Sequence, residues 1–418
     1  MQKNILFILP FFPYPLKSGG HQAIFNGIKA ICEEYNIFIT YAIEKNDELL
    51  AEQAELSKIL GQKITIIPYK KSPTNKKLSF LFRFYVKFWN TKEYLKKIFG
   101  FSKENKIPSL FKVTINDNKR IHFLNKLINT YNIDIVQCEM IPTISDVLIL
   151  PPNIKKIYVQ HQIDYIRNEL DLQETNSFSK YKEEFLQSKQ AEIFLLNHYD
   201  SIIALSEYDK SIMVQDGVST PIHISPAIIS TELVPFIEKP KKKTLSFIGP
   251  SSHYPNVNGI HWFLKNCWKK LKNLDPEYTL QIIGEWDIHN QKIIQKSFPD
   301  IEFCGFVPLL YPKIENTIMI VPINIGSGIR MKILEAISNG IPVVSTNIGV
   351  QGLPFENKID CFITDNPKTF IEDILILKDI NTQKRMVQNA QNKISTIYSI
   401  HFLKKTRLNI YKEIFQKK

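Results

Sequence analysis

Long apolar runs are the first thing this chain lacks. In 418 residues no stretch approaches the roughly 18 apolar residues that a membrane-crossing helix requires. The apolar start Ile5–Leu9 is too short for a secretory signal. It is broken by Pro10, Pro13 and Pro15, and no small-residue cleavage site follows. Cysteine is sparse too: Cys32, Cys138, Cys267, Cys304 and Cys361 are odd in number and form no C-x-x-C pair. That excludes a disulfide framework and a zinc ribbon, and it fits a reducing, cytoplasmic setting. Acids are outnumbered, 41 Asp and Glu against 53 Lys and Arg, for a net charge of +12. With 44% hydrophobic and 22% charged residues the composition is that of a globular protein, not a disordered tail, a collagen-like repeat or a membrane bundle. The length calls for two or more domains, because single cores rarely grow past about 250–300 residues.

What is present is an alternation of short Ile/Val-rich runs with helical spacing. The expected strands are Ile5–Leu9, Ile37–Tyr41, Ile64–Ile67, Ile133–Gln137, Lys156–Gln160 and Ser201–Leu205, then Leu245–Ile248, Thr279–Ile283, Thr317–Val321 and Pro342–Ser345. Apolar positions three and four apart, such as Ile24, Ile28 and Ile31, lie between them. Near-continuous apolar strands joined by helices indicate buried parallel sheets, hence an α/β protein with two Rossmann-like, doubly wound halves. Prolines 221, 226, 235 and 240 and a run of lysines mark the join. The expected divisions are an N-terminal domain over 1–225, a linker over 226–243, a second domain over 244–398 and a final helix over 399–418 returning to the first domain.

Two segments carry chemistry. Pro15-Leu16-Lys17-Ser18-Gly19-Gly20-His21 lies between the first strand and a helix expected to begin near His21, where free N–H groups and a close backbone suit a phosphate. A tight strand-to-helix turn explains the same residues. The second segment is Gly326-Ser327-Gly328-Ile329-Arg330-Met331-Lys332-Ile333-Leu334-Glu335-Ala336, followed by Gly340–Thr346. Two cations at a helix start oppose the helix dipole, so their placement points to an anion. A plain ion pair between Lys332 and Glu335, three residues apart on one face, is the simpler alternative.

Gly326–Glu335 with Gly340–Thr346 resembles the donor-binding region of the retaining family-4 glycosyltransferases of GT-B architecture. Phe247–Gly259, with Pro255-Asn256 and Gly259, is similar to the P-N-x-x-G turn that opens the second domain in one branch. Gly19-Gly20 resembles the family's glycine loop, and Ser201–Ser206 with Glu207 and Asp209 resembles another of its segments. The resemblance runs in order over most of the chain. It implies two Rossmann-like domains facing across a cleft and transfer of a sugar, in the manner of a hexosyltransferase, from a nucleotide-sugar to an acceptor hydroxyl with retained configuration. It places Glu335 on the nucleotide ribose and the N–H groups of Gly328 and Ile329 on sugar and diphosphate. Main-chain groups near Val307 would hold the base, and His161 would face the reacting centre; a hydrogen-bonded histidine at a strand end is the alternative for His161. Two positions depart from the pattern. Ser327 stands where an acid reads the donor sugar, and Pro250 and approximately Asn258 stand where Arg and Lys bind the diphosphate. Arg330 and Lys332 are therefore expected to stabilise the leaving diphosphate. No D-x-D triplet occurs, and no metal or other cofactor is expected.

Segment 76–112 holds ten Lys or Arg against two acids, with ten aromatics interleaved. Lys76, Lys77, Arg83, Lys87 and Trp89 fit a surface that meets anionic lipid or acceptor at the inner face of a membrane. A solvated insertion is the alternative, and no nucleic-acid motif supports the remaining partner class. The abundance of Lys, Asn and Ile points to an AT-rich bacterial genome, which suits cell-surface polysaccharide or glycolipid assembly. A nucleotide-sugar epimerase and a non-catalytic nucleotide-sugar-binding relative are the rival readings.

Overall fold

The computed structural model describes residues 2–43, 50–61, 64–70, 118–229, 233–238 and 243–416. The stretch 76–112, with Lys76, Lys77, Arg83, Lys87 and Trp89, lies outside the described residues. One sheet comprises β1 (Asn4–Leu9), β2 (Asn36–Ile43), β3 (Ile64–Ile66), β4 (Tyr69–Lys70), β5 (Ile135–Glu139), β6 (Lys155–Gln160), β7 (Ser201–Ala204) and β8 (Ile222–Ile224). Its order is β3-β2-β1-β5-β6-β7-β8, with β4 also on β2. The other comprises β9 (Thr244–Ile248), β10 (Thr279–Ile283), β11 (Glu302–Gly305), β12 (Ile318–Val321), β13 (Val343–Ser345) and β14 (Phe362–Ile363), in the order β11-β10-β9-β12-β13-β14. The ladders between these strands are parallel.

Strand β1 shows why the runs are continuous and not alternating. Ile5 and Phe7 point into one apolar cluster, Leu6 and Ile8 into another on the opposite face, and all four are buried. Both faces are covered by helices, so every position gains from burial, about 1.5–3 kcal/mol for each large side chain. The cluster containing Phe7 continues through Ile228, Met331 and Tyr411 to Phe247, so both sheets share it.

The order of strands reverses at β1, which lies between β2 and β5, and again at β9, between β10 and β12. Crevices at the carboxyl ends of strands beside such switch points are where open α/β sheets bind ligands. Helix Gly19–Lys29 follows β1, and helix Met331–Ser338 follows β12. Helix Ile400–Gln416 packs on helix Gly19–Lys29. Lys404 pairs with Glu33 there, and Tyr411 lies beside Tyr35 at 5.6 Å between ring centres.

One strand sits two residues later than expected. Asp134 is occupied at the entry to β5, its carboxylate accepting from the Asn4 N–H at 2.9 Å and its own N–H donating to the Asn4 carbonyl. The strand therefore begins at Ile135 and ends at Glu139, which brings an acid to the mouth of the sheet. Strands β4, β8, β11 and β14 were absent from the expectation, because they are only partly buried and lack the unbroken apolar run of a covered strand. No helix among the described residues is long and apolar enough to cross a membrane.

Candidate active site

The glycine segment after β12 forms a wall that touches the first domain. Gly326 and Gly328 have φ of 137° and 76°, a region that side chains disfavour. A Cβ on Gly328 would lie 2.2 Å from the His161 carbonyl oxygen, so only glycine permits this approach. Ser327 Oγ donates to the Ile163 carbonyl at 2.7 Å, and Ile329 beside it is half-buried. The opposite wall answers in kind. A Cβ on Gly19 would lie 2.7 Å from Met331 Cγ, and one on Gly20 would lie 2.8 Å from Met140 Cε. Ser18 caps helix Gly19–Lys29, and its hydroxyl meets His21 Nδ1 at 2.7 Å. Burial, then Lys17, pushes the His21 imidazole down to about 4.

Glu335 and Lys332 share a helix face but do not pair. Glu335 Oε1 accepts from Gln22 Nε2 of the first domain at 2.5 Å. Lys332 Nζ donates to Asn256 Oδ1 at 2.7 Å and sits 4.2 Å from the centre of the Phe247 ring. The simple ion-pair alternative is thus not what the structure contains. Lys332 instead reaches Asn256 on helix Tyr254–Phe263, and Gln22, which sequence spacing left unmarked, meets Glu335 across the cleft.

The cations are held without enough negative charge. Burial, reinforced by Arg330, pushes the Lys332 ammonium down to about 7 despite Glu335. Burial likewise lowers Arg330 to about 10, opposed by the Asp209 carboxylate. Arg330 donates to the Gly328 carbonyl, while its Nη2 is buried with no hydrogen-bond partner. His253, at the start of helix Tyr254–Phe263, is lowered to about 4, first by desolvation and then by Lys332, Arg167 and Arg330. Lys332, Arg330 and Glu335 keep partial solvent contact although protein closes round them, which is the geometry of a groove wall. An anion in that groove would satisfy the orphaned N–H of Arg330 and raise the charge on Lys332. Asn258 is turned away, donating to Glu174 at 2.7 Å. Val307 lies half-buried in the loop after β11.

His161 follows β6, and its Nε2 meets Glu139 Oε2 at 2.5 Å. Glu139 Oε1 accepts from Gln137 Nε2 at 2.5 Å, and Tyr411 hydroxyl donates to Gln137 Oε1. The next turn is fixed from below by Glu192, whose carboxylate accepts from Gln160 Nε2 at 3.0 Å and from the N–H groups of Asp164 and Tyr165. His161 is therefore a hydrogen-bonded histidine at a strand end and also a residue of the seam between domains. No group of three or more His, Cys, Asp or Glu among the described residues could hold a metal ion.

Comparison with known proteins agrees with this architecture. Residues 242–379 match the family described as Glycosyl transferases group 1. An uncharacterized 44.6 kDa protein in the cps region of Klebsiella pneumoniae is 26% identical over 176 residues, which is 40% of this chain and 45% of that protein. The chain thus matches less than half the length of that relative. Among solved structures, sucrose-phosphate synthase from Thermosynechococcus elongatus superposes with a TM-score of 0.72 at 11% identity, covering 100% of both chains. A point mutant of S. aureus TarM, in complex with fondaparinux, alpha-GlcNAc-glycerol and UDP, gives 0.66 at 13% identity, again over 100% of both chains. HepE of Anabaena in complex with UDP gives 0.64 at 11% identity, over 99% of this chain and 100% of that one. The fold is GT-B: two Rossmann-like domains whose strand ends face across a cleft.

Proposed function

We propose that this protein transfers a sugar from a nucleotide-sugar to an acceptor hydroxyl with retention of anomeric configuration, in the assembly of a cell-surface polysaccharide or glycolipid. The observation that carries the reading is the groove where Arg330, Lys332 and Glu335 stand opposite Gly19, Gln22 and His161. A nucleoside diphosphate supplies what that groove lacks. Its phosphates offer acceptors to Arg330 Nη2 and to Lys332, and its ribose hydroxyls offer donors to Glu335. The match of residues 242–379 to Glycosyl transferases group 1 supports the donor side. The cps-region relative supports the polysaccharide setting, and UDP in the TarM and HepE complexes makes a UDP-sugar the first donor to try.

Bond making and breaking follow from those charges. The acceptor oxygen attacks the anomeric carbon from the face the diphosphate is leaving. As the bond to the leaving oxygen breaks, Arg330 and Lys332 stabilise the charge that develops on it. The acceptor's proton passes to a leaving phosphate oxygen, so no protein base is consumed. Ser327 is spent on the Ile163 carbonyl, which leaves donor-sugar selection to other groups.

The test is product analysis. Incubation with UDP-sugars and candidate glycan or lipid-linked acceptors is expected to release UDP and give a product of the donor's anomeric configuration by NMR. An inverted product would overturn retention, and C-2 or C-4 epimer formation without acceptor would show an epimerase.

A further inference from the structure

The hydrogen-bond chain behind His161 runs in one direction. Its far end is Tyr411 on helix Ile400–Gln416, fully buried beside Tyr35. The Tyr411 O–H donates to Gln137 Oε1, and an amide carbonyl oxygen can only accept. With its carbonyl taken, Gln137 can give Glu139 only an amide N–H, as the 2.5 Å contact to Oε1 requires. With Oε1 accepting from Gln137, the carboxylate accepts at Oε2 as well, from His161 Nε2–H. Gln137, Glu139 and Tyr411 are each at most 3% exposed, so water does not interrupt the sequence. No partner from the described residues meets Nδ1.

We propose that Tyr411, Gln137 and Glu139 are positioning residues that fix His161 with its proton on Nε2 and leave the Nδ1 lone pair for a hydroxyl in the cleft. The final helix thereby reaches the candidate reacting centre without touching it. Use of the lone pair by a sugar or acceptor hydroxyl rests on the transfer reading above; the tautomer does not.

The tautomer is read in the full-length protein labelled with 15N-histidine, by two-bond proton–nitrogen correlations, with His161 assigned by its loss in H161Q. Wild type is expected to carry the proton on Nε2, and Nδ1–H there would overturn the proposal before any Glu139 variant is made. Because a free imidazole already favours Nε2–H, the decisive sample is Glu139→Gln. Gln137 still donates, so the new amide must place its carbonyl toward Gln137 and its NH2 toward His161, forcing the proton to Nδ1. An acid-to-amide change produces the wrong tautomer in the same way in serine-hydrolase triads. Adding Tyr411→Phe frees Gln137 to turn over, and Nε2–H should return in the double variant at least in part. An unchanged tautomer in E139Q would overturn the chain, and a flip that persists in the double variant would overturn the role of Tyr411. The remaining histidine signals report folding in each sample. With a working donor, E139Q should lower kcat at least tenfold with little change in KM.

Discussion

The two walls of the cleft are built in different ways. The second domain's wall is one local piece, in which Gly326 to Glu335 supplies the turn, the helix start, both cations and the acid. The first domain's wall is assembled from Gly19 after β1, Glu139 at the end of β5, His161 after β6 and Tyr411 from the far end of the chain. A local wall can be read as a motif, whereas an assembled wall depends on register. The comparison also predicts where damage is concentrated and where it is shared.

The largest effect should come from the tightest of the points where the walls meet. Gly328→Ala puts a methyl 2.2 Å from the His161 carbonyl at a φ of 76°. Misplacing reacting groups by about 1 Å can cost a hundredfold, so turnover should drop at least about a hundredfold while circular dichroism stays native. Next is the cationic pair. Charge-assisted hydrogen bonds are worth about 1.5–3 kcal/mol each, so R330A/K332A should lose at least about tenfold in kcat and bind nucleotide more weakly. Unchanged kinetics in the folded double variant would remove these residues from the mechanism.

A pH series sharpens the contrast further. Lys332 is held at about 7 by burial and Arg330, and a bound diphosphate favours its charged form. Above that pH, binding must take up a proton, so nucleotide affinity should fall as pH rises, approaching about tenfold per unit. Titration calorimetry at pH 6 to 9 in buffers of different ionisation heat measures both the slope and the proton. The Lys332→Met variant should lose the slope. The smallest effect is expected at Ser327→Ala, which deletes one neutral hydrogen bond to Ile163. Such bonds contribute about 0.5–1.5 kcal/mol, and kcat/KM should fall by no more than about tenfold without change in donor preference.

The parallel sheets were legible because strands such as β1 and β12 bury both faces and so show as unbroken apolar runs. The edge strands β8, β11 and β14 were not, since they are only partly buried and so lack an unbroken apolar run. Gly328 and Glu335 could be marked from the glycine loop and its helix. Gln22 could not, because its partner lies 313 residues away and a glutamine on a helix has no distinctive spacing. Glu139 was hidden by the placement of its strand. With the strand ending at Gln137 it falls in a loop, and only the pairing of Asp134 with Asn4 carries it to the strand end beside His161. Asp209 lies just after the strand Ser201–Ala204, and its proximity to Arg330, more than a hundred residues on, exists only in the fold.

In the proposed function the wall from Arg330 to Glu335 binds a nucleoside diphosphate carrying a sugar. The most direct measurement is thermal unfolding of the full chain with UDP, GDP, ADP, CMP and their common sugar derivatives. A ligand that binds only the folded state raises its apparent stability by mass action. One nucleotide series is expected to raise the transition in wild type and to fail to do so in R330A/K332A. A panel in which no nucleotide or nucleotide-sugar moves the wild-type transition would contradict the proposed function.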